Sequence, residues 1–142
     1  MTLKGILKHK PAGFIAVAPD ASISAVVAIL AEKHIGAVLV TDGNKLVGIL
    51  SERDVVRGLA AHGAATLDQA ASALMTSNPK TATPDISVEQ AMGLMTEGRF
   101  RHLPILENGQ LSGLVSIGDV VKAMIEQSQV EVETLRTYVG TV

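Results

Sequence analysis

Apolar positions along the chain change period in a pattern that repeats. Ile23, Val26, Val27, Leu30 and Ile35 fall on one side of a helical repeat, which predicts an amphipathic helix over about 22–34 with Ser22 as its cap. Continuous apolar runs at 37–40 and 46–50 then have strand length. Asp42-Gly43-Asn44 between them supplies a glycine turn, so the pair reads as a hairpin. A helix follows over about 51–61. The same order returns downstream, with a capping box Ser87…Gln90, a helix to about 97, strands at 102–106 and 111–115 around Asn108-Gly109, and a last helix over 116–138. Short strands at 14–17 and 81–83 precede the two helix–hairpin–helix runs. Residues 2–8 form a helical lead-in that Pro11 and Gly13 should end, and Thr66…Gln69 is a capping box expected to open a helix to about 75. Residues 76–80 are then the loop between the units.

The repetition is also literal. Gly48-Ile49-Leu50-Ser51-Glu52-Arg53-Asp54-Val55-Val56 matches Gly113-Leu114-Val115-Ser116-Ile117-Gly118-Asp119-Val120-Val121 at an offset of 65 (113 minus 48), and Pro19-Asp20 falls on Pro84-Asp85. One supersecondary unit occurs twice. The fold class is therefore α/β, with two pseudo-symmetric β-α-β-β-α repeats and a boundary at 66/67, giving units 1–66 and 67–142. Each is small enough to be marginal alone, so the two should share a core.

Composition narrows the function. The chain is 47% hydrophobic but only 2% aromatic, so Val, Ile, Leu, Ala and Met must fill the core. A net charge of −2 with no basic stripe argues against nucleic acid. The absence of cysteine excludes disulfide and thiol chemistry. No apolar run reaches the length of a membrane span, and residues 1–14 lack the pattern of a signal peptide, so a cytoplasmic location is expected.

Candidate chemistry centres on the two Ser-x-x-Asp sequences. As caps, Ser51 and Ser116 accept from the helix start, with Asp54 and Asp119 at the positive end of the dipole. As ligand groups, the same helix starts offer N–H groups to phosphate and a carboxylate to the two hydroxyls of a ribose. Gly48 and Gly113 would admit a ligand or another backbone closely. Arg101 and His102 replace Gly36 and Ala37 of the first unit, and Arg53 stands where the second has Gly118, so cations are concentrated on one side. A guanidinium matches phosphate geometry. Lys8, His9 and Lys10 form a loose basic patch, chiefly solvated surface, with a phosphate contact from Lys10 the lesser alternative. No nucleophile elbow and no metal-ligand spacing among the four histidines supports an enzyme reading.

The Gly-apolar-apolar-Ser-x-x-Asp motif in both units, the Pro-Asp before each first helix and Arg101-His102-Leu103-Pro104-Ile105 before the second hairpin resemble a tandem pair of CBS domains, a Bateman module. The resemblance covers nearly the whole chain. It implies two packed repeats, two clefts between them, and a non-catalytic regulatory module that binds AMP, ADP, ATP or NAD and passes occupancy to an unknown protein partner. It implies that one cleft joins Leu114, Ser116 and Asp119 with Ile15, Ala16, Ile35, Gly36 and Ala37. The other joins Ser51, Arg53 and Asp54 with Thr76, Thr81, Phe100, Arg101 and His102. It also implies a homodimer formed through helices, and the apolar residues of the tail 130–139 should contribute to it. An interaction module with vestigial sites, or a nucleotide hydrolase, are the competing readings.

Overall fold

The computed structural model describes residues 1–10 and 14–140. In chain order the elements are α1 (Leu3–His9), β1 (Ala16–Val17), α2 (Ile23–Lys33), β2 (Ala37–Asp42), β3 (Lys45–Ser51), α3 (Glu52–His62), α4 (Ala71–Leu74), β4 (Thr76–Ser77), α5 (Val88–Gly98), β5 (His102–Glu107), β6 (Gln110–Ser116) and α6 (Ile117–Gly140). A 3-10 helix over Gly63–Asp68 joins α3 to α4. The two-repeat α/β architecture expected from the sequence is present. The stop at Pro11 and Gly13 lies outside the described residues.

The hairpins form where the turns predicted them. Gly43 alone has positive φ in the β2–β3 turn, whereas Asn108 and Gly109 both have it in the β5–β6 turn. These are the conformations that suit a right-twisted two-residue connection. Both hairpins carry a register shift at the same place, Val40/Thr41 and Ile105/Leu106. Ser22 and Ser87 cap α2 and α5, and the Ser87–Gln90 capping box is complete.

Three expectations fail for identifiable reasons. The capping box at Thr66 does not form. Thr66 is fully buried and its hydroxyl donates to the Gly58 carbonyl at 2.8 Å, which ties the 3-10 helix back onto α3 and leaves α4 to begin only at Ala71. The strand at 81–83 shrinks to a single parallel bridge, Ala82 with Ile105. The loop at 76–80 instead contains β4, which extends the first sheet to β1-β2-β3-β4 beside the two-stranded β5–β6 sheet.

Packing crosses the boundary at 66/67. Leu3 of α1 is fully buried in the second unit's core, among Val88, Met95, Leu103 and Val115. Its backbone is bound there by Leu3 N–H to Ile86 O and Val88 N–H to Met1 O, at 3.1 Å each. In return Ala71 of α4 is buried in the first unit's core with Ile23, Val38 and Leu50, through Ala71 N–H to Ala21 O and Ile23 N–H to Gln69 O. Each unit is therefore closed by the lead-in that precedes the other in sequence. Gly48 and Gly113 serve this exchange rather than a ligand. A Cβ at Gly48 would stand 2.4 Å from Sδ of Met75, and one at Gly113 would stand 2.6 Å from Leu7.

Instead of one shared core there are two, with a thin layer between them. Val38 and Val40 face their own helices, so by alternation Ala37 and Leu39 face the other unit, where β3 and β6 touch. Leu39 is fully buried and Leu114 nearly so, although neither belongs to either helix-side cluster.

Because Leu3 completes a core distant in sequence, Leu3→Ala should cost about 2–5 kcal/mol, the range for emptying a buried leucine site. Urea denaturation would measure it. A loss near zero would mean that α1 is only appended to the second unit.

Candidate functional site

Both Ser-x-x-Asp sequences act as caps. Ser51 N–H donates to Oδ2 of Asp54 at 2.8 Å, and Asp54 N–H donates to the Ser51 hydroxyl at 3.3 Å. Ser116 N–H donates to Oδ2 of Asp119 at 2.9 Å, and Asp119 N–H to the Ser116 hydroxyl at 3.1 Å. A further bond fixes each helix start to a strand start: Glu52 N–H to Gly36 O and Ile117 N–H to Arg101 O. In both carboxylates Oδ1 receives no hydrogen bond from any described residue, so capping leaves an acceptor oxygen available to a ligand.

A cavity of about 370 Å³ opens at the start of α3. The structure brings Ser51, Arg53, Asp54, Thr76, Phe100, Arg101 and His102 to its walls. Thr81 is not among them. Since pairing is confined to Ala82, the chain passes the cavity with Asn78, Pro79 and Lys80 instead. Gly36, expected in the other cleft, also lines this one. It sits at the junction of the units, where a Cβ would meet Nε2 of His102 at 3.4 Å and Oε1 of Glu52 at 3.6 Å. Phe100 lies over Gly98, where a Cβ would come within 2.3 Å of the ring. Gly98 thus lets an aromatic face stand in the cavity wall.

Sequence reasoning missed Arg57, Lys80 and Arg99 in this wall. Arg57 was accessible to it, being one helical turn beyond Arg53. Arg99 carries no motif; it is the left-handed C-cap of α5, with φ 56°, as His34 is of α2 with φ 54°. Arg53, Arg57, Lys80, Arg99 and Arg101 face only Glu52 and Asp54 among the acidic groups of the cavity, so its potential is positive.

On the other side of the module, Asp119, Ser116 and Leu114 gather around Lys10. The Lys10 ammonium lies 2.8 Å from Oδ2 of Asp119 and 2.6 Å from the Leu114 carbonyl. Burial pushes the Asp119 carboxyl up, but the Lys10 bond, the Ser116 N–H and the Lys10 charge together hold it below the ordinary carboxylate value. Ala16 pairs with Leu39 of β2, whose N–H donates to Ile15 O, and Ile35 and Ala37 flank Gly36 at its start. None of these four lines the Asp54 cavity.

His102 stands between the two sides. Burial, followed by the Lys10 charge, lowers its pKa below the ordinary 6.5, and Glu52, Asp119 and Arg101 act more weakly. At neutral pH it is therefore an uncharged imidazole, not the cation the sequence suggested, and Arg101 is the charged member of the pair. The unfolded chain takes up this proton near pH 6.5 and the folded protein only at lower pH. Stability at this group is thus complete above 6.5 and is lost as pH falls toward the folded value. Urea midpoints at pH 7.5, 6.5 and 5.5 should fall more steeply for the wild type than for His102→Gln. Parallel profiles would assign the acid loss to other groups.

Known proteins share this fold. The CBS domain family model matches residues 6–61 and 71–126. The mitochondrial CBS domain-containing protein CBSX3 of Arabidopsis thaliana is 33% identical over 125 residues, covering 84% of this chain and 61% of its own. The chain thus spans only part of that relative. A CBS-domain-containing protein of known structure from Agrobacterium tumefaciens is 44% identical, with a TM-score of 0.85 over 87% of this chain and 99% of that one. A CBS domain protein from Pyrobaculum aerophilum, solved with AMP, is 26% identical with a TM-score of 0.74 over 84% and 89%. With both repeats matched by the family model and their geometry reproduced in the fold, the chain belongs to the CBS-domain family.

Proposed function

We propose that this CBS pair is a non-catalytic sensor that binds an adenine nucleotide in the Asp54 cavity and passes its occupancy to a partner. One observation carries the reading: an aromatic wall, a carboxylate with a free oxygen and five cationic side chains converge on a helix start. Adenine, ribose and phosphate respectively suit these three groups. The AMP found in the Pyrobaculum relative supports the ligand class. The Ser51 hydroxyl donates to Asp54 within its own cap, 3.1 Å away, so both side chains already hold the helix start that would meet the ligand. Occupancy would act by stabilising one relative orientation of the two units, to the extent of its differential affinity.

Thermal shift with AMP, ADP, ATP and NAD tests the class, because a ligand of the native state raises apparent stability. No shift with any of them would favour an interaction module, and ligand turnover would favour a hydrolase. Asp54→Asn should weaken AMP binding by about 1.5–3 kcal/mol, the value of hydrogen bonds to a charged acceptor. Arg101→Ala should weaken AMP and ATP more than adenosine, and the difference should shrink with added salt. Equal losses for all three ligands would make Arg101 structural.

The partner we favour first is a second copy. Val56 of α3 and its counterpart Val121 of α6 are both exposed. Along α6, Ile125, Val132 and Val139 recur every seven residues, with Ser128 and Leu135 between them, and this seam stands in solvent. β-branched residues at one seam position and leucine at the next suit a two-stranded parallel coil. In such a pair Glu131 of one copy would lie across from Arg136 of the other. No helix among the described residues is long and apolar enough to cross a membrane. Sedimentation should find a dimer at micromolar concentration, weakened by truncation after Gln129. A dimer indifferent to that truncation would remove the tail from the interface.

A further inference from the structure

Lys10–Asp119 is the one ion pair among the described residues, and it has no counterpart in the Asp54 cavity. The lead-ins correspond at an offset of 68 (70 minus 2), from the equivalent bridges Thr2–Ser87 and Ser22–Ala70. That register places Leu7 with Met75, as their packing on Gly113 and Gly48 requires, and Lys10 with Asn78. Asn78 lines the Asp54 cavity and carries no charge. The two ribose-type carboxylates therefore differ in their counter-ion.

The difference matters at Oδ2. In Asp119 this oxygen accepts from Ser116 N–H and from the Lys10 ammonium, which occupies both of its lone pairs. A vicinal diol that bonds both carboxylate oxygens must displace one donor. The Ser116 N–H is fixed in the helix start; the ammonium sits on a flexible four-carbon stem. In Asp54 the second donor is the Ser51 hydroxyl, which needs only to rotate. A diol without phosphate would leave the Lys10 ammonium with the Leu114 carbonyl but no counter-ion. A phosphate on the same ligand would supply one.

Resting on the nucleotide reading above, extended to Asp119 by the matching geometry of the two caps, we propose that Lys10 is an exchangeable counter-ion, released from Asp119 by a ribose diol and taken up by the phosphate of the same ligand. The Asp119 site thereby selects nucleotides over bare nucleosides.

Calorimetry with AMP and adenosine on the full chain tests this. Asp54→Asn reduces binding at the first cavity and leaves the Asp119 cleft to be read. In that background AMP should be preferred over adenosine, and adding Lys10→Met should cut the preference about tenfold, the size of one lost charge-assisted bond. Lys10→Arg should retain most of it, with thermal unfolding confirming that all variants are folded. An unchanged preference would make Lys10 a surface ion pair only. An equal gain for both ligands would make it a plug and not a selector. Either result overturns the exchange. If the wild type binds AMP but Asp54→Asn binds nothing, the Asp119 cleft is not a site and this inference alone falls. If the wild type binds no nucleotide, the reading beneath it falls as well.

Discussion

The exchange of lead-in segments is the constraint on which the rest of this structure depends. A sheet with helices on one face leaves its far end open, and a unit of this size has little apolar surface to spare. Here the open end of each unit is filled by a helix whose chain continues into the other. Met75 and Leu7 enter spaces that only Gly48 and Gly113 leave free. The same glycines stand three residues before the capping serines, so one short motif sets both the closure of the core and the start of the site helix. Relative movement of the units would pull on these plugs, so a change of orientation in one unit reaches the core of the other.

The site inherits its asymmetry from that arrangement. After Met75 the chain pairs with β3 as β4 and then lays Asn78, Pro79 and Lys80 along the Asp54 cavity. After Leu7 the corresponding chain delivers Lys10 to Asp119 and the Leu114 carbonyl. The geometry of the two carboxylates is nearly the same, down to cap distances within a few tenths of an ångström. What differs is the charge around them: Arg53 and Arg101 stand within the repeats beside Asp54, and Lys10 reaches Asp119 from the lead-in.

Features set by neighbours in sequence were legible before the structure. The Ser22, Ser51, Ser87 and Ser116 caps, the Asn108-Gly109 turn and the helix faces depend on contacts a few residues long. Features set by partners distant in the chain were not. Thr66…Gln69 has the form of a capping box, but the Gly58 carbonyl competes for the threonine hydroxyl and wins because the residue is fully buried. Gly48 reads as room for a ligand until Met75 is seen in it. Of the cavity, the Asp54 and Arg101 walls were legible through the repeat and the resemblance it carries. Arg57 follows from Arg53 by helical spacing, but Lys80 and Arg99 do not, since only folding brings a loop and a helix cap to that helix face. Lys10 was visible as a cation, but its carboxylate lies 109 residues away.

The burial of Leu3 between α5, β5 and β6 also orders events during synthesis. The first unit holds everything its core requires once Ala71 to Met75 have been made. The second cannot close with its own residues: α1, made well before them, must stay unburied until Val88, Leu103 and Val115 exist to receive it. Such a contact spans most of the chain, and long-range closure of this kind is slow compared with local hairpin and helix formation. The nascent chain thus carries a folded half and a waiting amphipathic helix at the same time. Anything that sequesters α1 early in synthesis would leave the first half intact and the second without its last core residue.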